Sequence, residues 1–214
     1  MLRQFLTGCL FLGLTATVNA AIEDLGTITR DTDTGLEWLD VTQTTNLSYD
    51  YVSSQLGAGG AYEGWLYATG AQVNTLIANF TGVTPTLSGQ TEYAENTLDA
   101  LVALVGNTWT SISDGGDRTY GMLADSANCT NCERQYMATL NVYPDIAVWN
   151  LPDSSTVRSQ AINNDQSNEI IGSFLVRRIP SAQSPVPRSV PEAQSILLFG
   201  LGLLGLFGAA QRKV

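Results

Sequence analysis

Two apolar runs, one near each end, decide how much of this chain is left to fold in water. Phe5 to Val18 is almost wholly apolar or small, follows Arg3, and leads into Val18-Asn19-Ala20. A positive start, an apolar core and small residues before a cut after Ala20 predict a secretory signal peptide over residues 1–20. At the other end, Ile196 to Ala210 is apolar and is followed by Arg212 and Lys213. As a helix, a run of that length spans about 22 Å, and Ala193 to Ser195 and Gln211 extend it toward the thickness of a thin bilayer. Arg212 and Lys213 then act as a stop on the cytoplasmic side. Residues 193–214 therefore read as a transmembrane helix with a basic tail. Gly200, Gly202 and Gly205 spell a dinucleotide-type G-x-G-x-x-G, but no strand precedes them, so close helix packing in lipid fits better.

Between the ends lies Ala21 to Ile179, 159 residues. A chain of that length suits one domain, burying about 70% of its surface without a disulfide framework. Four of the seven prolines (Pro180, Pro185, Pro187 and Pro191) fall within twelve residues, which predicts an extended spacer over 180–192. The span 21–179 holds six arginines against 19 acidic residues, a net charge of −13. Such a surface repels phosphate backbones, which argues against nucleic acid as a partner. Histidine is absent from the whole chain. That excludes Ser-His-Asp and Cys-His catalysis and any histidine-ligated metal, and leaves paired carboxylates as the open route to acid–base chemistry.

Periodicity changes along the domain. Leu36 to Val41 reads as a short strand after the turn-like Asp33-Thr34-Gly35. Ser48 is placed to cap a helix carrying Val52 and Leu56 on one face, ending at Gly57. Gly64 to Ala68 is a buried aromatic stretch. Thr69 and Gln72 form a capping box, and Val73, Leu76, Ile77 and Phe80 follow at helical spacing. Leu98, Leu101, Val102 and Val105 repeat that spacing up to Gly106. After Gly106 short β-rich segments take over: 121–123, 136–142, 146–149 and 170–176. Two to three early helices packed on a later, mainly antiparallel sheet make an α+β domain.

Two resemblances attach to these residues. Val190-Pro191-Glu192, the glycine- and leucine-rich run and the terminal Arg212-Lys213 resemble the PEP-CTERM sorting tail, although Ala193 stands where a second proline is usual. The resemblance implies export in a Gram-negative bacterium that makes exopolysaccharide. It also implies recognition and cleavage by an exosortase, a membrane cysteine protease. Trp38-Leu39-Asp40, Gly64-Trp65-Leu66-Tyr67-Ala68-Thr69 and Gly172 to Arg178 are similar to Lcl-type, C-type-lectin-like domains, with Leu66 and Ala68 replacing an arginine and a proline. This second resemblance implies a fold and no particular activity.

Candidate sites are few. Cys129 and Cys132 flank two residues in a polar loop, and an oxidising compartment predicts a local disulfide rather than a redox centre or a zinc site. Asp114 and Asp117 bracket two glycines and are the weak calcium candidates, in a sequence that equally makes a tight turn. Asp31-x-Asp33-x-Gly35 lacks the remaining acids of an EF-hand loop. Trp149-Asn150 and Asp153 match the calcium signature of sugar-binding lectins only in part. Trp38, Trp65, Trp109 and Trp149 are expected in the core. No catalytic residue, metal or cofactor is singled out. The expectation is a non-enzymatic exported surface protein, binding polysaccharide or another surface component; the alternative is a carboxylate-based glycoside hydrolase acting on exopolysaccharide.

Overall fold

The computed structural model describes residues 22–86, 88–127, 133–144 and 151–180. In chain order the elements are β1 (Ile22–Asp24), β2 (Ile28–Asp31), β3 (Leu36–Leu39), a 3-10 turn (Val41–Thr44), α1 (Tyr49–Ser54), β4 (Leu66–Tyr67) and α2 (Gly70–Thr81). Then come β5 (Gly89–Glu92), α3 (Asp99–Val105), β6 (Trp109–Thr110), β7 (Asp117–Ser126), β8 (Arg134–Asn141), β9 (Ser154–Asn163), β10 (Gly172–Ser173) and β11 (Leu175–Arg178). The chain divides after the last strand into two units, Met1–Ile179 and Pro180–Val214.

The described strands form two sheets rather than one. The first runs β1-β2-β3-β11-β4 and is antiparallel throughout; the second runs β10-β7-β8-β9-β5, with β6 on the edge of β7. The early chain thus supplies strands as well as helices. β1 and β5 escaped sequence reading because they are short, with no apolar alternation to mark them. The expected strand at Leu36 to Val41 stops at Leu39, and Val41–Thr44 closes as a turn in which the Thr44 hydroxyl donates to the Val41 carbonyl at 3.0 Å. Leu66, on the edge of the first sheet, is 66% exposed, while Trp65 and Tyr67 are buried.

Local chemistry explains the hairpin and the long helix. Asp31 is fully buried, and its Oδ1 accepts the amides of Asp33 (3.0 Å) and Thr34 (3.1 Å), closing the β2–β3 turn. Its Oδ2 accepts from Asn79 on α2 at 3.0 Å, tying hairpin to helix. The Thr69–Gln72 capping box is present at the start of α2, and Gly82 ends the helix in the left-handed region at φ 73°.

The sheets are stitched where β10 and β11 pass between them. Gly172 pairs with Gly121 in the parallel β10–β7 contact. The Phe174 amide donates to Met122 O, and its carbonyl accepts from Ala68. The main core gathers Trp38, Phe174 and Val176 with Leu123, Leu140 and Val157, closed by Val73, Leu76 and Ile77 of α2 and Leu101, Val102 and Val105 of α3. Trp38 meets Phe174 edge-on, centroids 6.3 Å apart. A second cluster joins Val52, Trp65, Tyr67, Met122, Ile162 and Leu175.

Among the described residues no helix is long and apolar enough to cross a membrane. The expected signal peptide (1–20), the sorting segment and the apolar run at 196–210 lie outside those residues.

Candidate functional site

The second sheet turns one face to α2 and α3 and carries a row of aromatic, amide and hydroxyl groups on the other. The row starts at β6. Asn107 Oδ1 accepts the amides of Trp109 (3.1 Å) and Arg118 (3.2 Å), and the Thr108 hydroxyl accepts the Tyr120 amide at 3.0 Å. These side-chain bonds hold the two-residue strand against β7 and set Trp109 opposite Arg118. The Arg118 guanidinium lies 4.6 Å from the Trp109 ring centroid and 5.7 Å from that of Tyr143. Trp109 and Tyr120 lie 6.1 Å apart, tilted by 44°.

Asp114 anchors the cluster. Its Oδ2 accepts from Arg118 at 2.5 Å and its Oδ1 from the Gly116 amide at 2.9 Å. Burial disfavours its ionised form, but hydrogen bonds from Ser111 and Gly116 and the Arg118 charge outweigh that, holding its carboxyl below the usual range. Asp117 instead accepts the Thr110 hydroxyl at 2.7 Å. The two calcium candidates thus serve a turn and a strand edge. Among the described residues no three acidic or cysteine side chains gather as a metal site.

Pairing register extends the row across the sheet. Arg118 faces Asn141, Tyr120 faces Thr139, and on the far side Asn141 and Thr139 face Ser154 and Thr156. Gln90 and Glu92 of β5 pair with Thr156 and Ser154 and complete it. Gln90 and Glu92 are exposed; Trp109, Tyr120, Asn141 and Thr156 are half-buried. Further along, Met137, Gln160, Ala161, Ile162, Gln166 and Ile171 line a cavity of about 280 Å³. Stacking rings beside amides and hydroxyls are what a neutral, hydroxyl-rich ligand requires.

Glu37 and Asp153 have other partners. Glu37, nearly buried, bridges Arg30 (2.7 Å) and Arg177 (2.8 Å), and Arg177 also lies 4.4 Å from the Trp65 ring. Fully buried Asp153 accepts the Leu98 amide at 2.8 Å, capping α3 from a distance. Asp40 differs: its Oδ1 has no hydrogen-bond partner, and burial, with the charge of Asp24, pushes its pKa up to about 6.

Of the expected core tryptophans, Trp38 and Trp65 are buried, whereas Trp109 is half-buried on the row. Cys129, Cys132, Trp149 and Asn150 lie outside the described residues. Sequence reading missed the row because β9 reads Ser-Ser-Thr-Val, with hydroxyls in place of the apolar alternation that announces a strand.

Residues 189–213 match the PEP-CTERM protein-sorting motif. The match covers the tail alone. That motif marks an exported, membrane-anchored precursor of Gram-negative bacteria that an exosortase sorts. No curated protein and no solved structure matches the chain.

Proposed function

We propose that this is a non-enzymatic cell-surface or extracellular-matrix protein that holds a polysaccharide on the face of its second sheet that carries Trp109 and Tyr120. The observation that supports binding is the row Trp109, Arg118, Tyr120, Asn141 and Thr156, where two rings at one end adjoin a line of hydrogen-bonding groups. The sorting motif supports an exported precursor, and exopolysaccharide is the ligand this reading assigns to it. A C-type-lectin-like organisation belongs to the same reading, and its support is the pairing of the closing strand β11 with β3 across the intervening helices.

The test is a glycan array with the full chain in mild detergent, with and without calcium. Neutral polysaccharide fragments are expected to bind irrespective of calcium, and Trp109→Ala with Tyr120→Ala to abolish binding. An array with no hits, or hits untouched by both substitutions, refutes the reading. The hydrolase alternative requires two carboxylates facing each other across a cleft; release of reducing ends from exopolysaccharide by the full chain would favour it.

A further inference from the structure

The shape of the sheet face also sets how much of a polysaccharide it takes up. Resting on the polysaccharide reading above, we infer that the row binds one extended run of about four to five neutral sugar units, lying across the strands with one unit to a strand. Register puts Trp109, Arg118, Asn141, Ser154 and Glu92 in one line, and Tyr120, Thr139, Thr156 and Gln90 in the line beside it. The strands that contribute are β6, β7, β8, β9 and β5. At the usual spacing between strands their centres span about 19 Å. An extended chain of pyranose rings advances by close to one such spacing per ring.

Both flanks of these two lines are occupied, which fixes the direction. On one side the next residues facing the same way are Met122 and Met137, a cross-strand pair 1% and 4% exposed, and Met122 belongs to the cluster of Val52, Trp65 and Ile162. On the other, the Arg118 guanidinium packs against the Trp109 and Tyr143 rings and is bonded to Asp114. Two successive residues on one face of a strand lie about 7 Å apart, which is room for one chain of rings and not two. A chain laid along the strands would run into Met122 or the Arg118 cluster, whereas a chain laid across them meets a new strand at each ring. Buried Thr139 and Ser154 floor the middle of the row. The ends differ: Trp109 and Tyr120 offer ring faces at β6 and β7, and exposed Gln90 and Glu92 offer an amide and a carboxylate to hydroxyls at β5. Each added unit gains contacts until β5 is reached and none beyond it, because β5 is the edge of the sheet.

Isothermal titration of the full chain in mild detergent would use linear glucan, mannan and galactan oligomers, from monomer to octamer, as probes. In at least one series affinity is expected to rise by about tenfold or more between trimer and pentamer, and to stay level from hexamer to octamer. Gln90→Ala with Glu92→Ala, both at exposed positions, should erase that gain. The length series alone decides the matter should that variant misfold. A gain complete at the dimer confines the site to the two rings and overturns the inference. A gain that continues to the octamer, or one that survives the β5 substitutions in a folded variant, overturns it as well. Each of these results leaves polysaccharide binding standing. Absence of binding in every series overturns the inference too, and refutes the reading it rests on only where the glycan array is also without hits.

Discussion

At the scale of single residues, two carboxylates of the first sheet and its adjoining turn make opposite demands on pH. Glu37 sits between Arg30 and Arg177, and although burial opposes its charge, those two bonds hold its pKa below the usual range. A lowered value means that its contribution is present above the ordinary carboxylate range and is lost as pH falls. Glu37→Gln is therefore expected to cost about 2–3 kcal/mol near neutral pH, less in acid, read from urea unfolding midpoints. Equal midpoints would contradict it. Asp40 is the reverse case, raised to about 6 by burial and then by Asp24. Its contribution is fullest below the ordinary carboxylate range and is lost as pH rises through the raised value. Asp40→Asn should stabilise the protein at about pH 7.5 by about 1 kcal/mol, discounted for solvent screening, and make little difference at about pH 4. A thermal melt at each pH decides it; a less stable variant at the higher pH would be the wrong sign.

At the scale of elements, the joint between the sheets is where one methyl group matters most. A Cβ on Gly121 would lie 2.4 Å from Phe174 Cδ2, and Phe174 is 1% exposed and cannot swing away. Gly121→Ala is expected to destabilise by about 1–3 kcal/mol or more through overpacking, whereas Thr69→Ala, which removes only the α2 cap, should cost about 1 kcal/mol. Chemical denaturation of both variants ranks them, and the reverse order would show that the joint yields. These two positions also mark what the sequence made legible. The α2 cap and its buried Val73, Leu76 and Ile77 were readable because a capping box and a helical period are local signals. The role of Gly121 was not, because Gly172 and Phe174, which make space scarce there, lie some fifty residues away in sequence. The same holds for the row on the second sheet: pairing register alone places Trp109 and Arg118 with Asn141 and Thr156.

At the scale of the whole molecule, the fold determines what the sorting tail must do without. β11, the closing strand, is held between β3 and β4, and the Ile179 amide donates to Gly35 O at 2.9 Å. The last backbone hydrogen bond of the described fold therefore comes just before Pro180, and the matched motif begins ten residues later, at 189. A protease acting there need not unfold the domain, because a peptide must be extended to enter an active-site cleft and prolines favour extension in the intervening spacer. Pro191→Ala with Glu192→Ala is accordingly expected to block C-terminal processing while leaving membrane insertion intact. Neutralising Arg212 and Lys213 should instead weaken the stop and its orientation. Mass spectrometry of the C-terminus from envelope and medium fractions distinguishes the two. The expected wild-type product ends near Val190-Pro191-Glu192 and keeps the melting temperature of the uncut precursor, because every described strand ends by Arg178. A strain that processes other proteins bearing this motif, yet leaves Val214 intact here, would show that Ala193 in place of the second proline abolishes cleavage. The chain would then remain anchored rather than released.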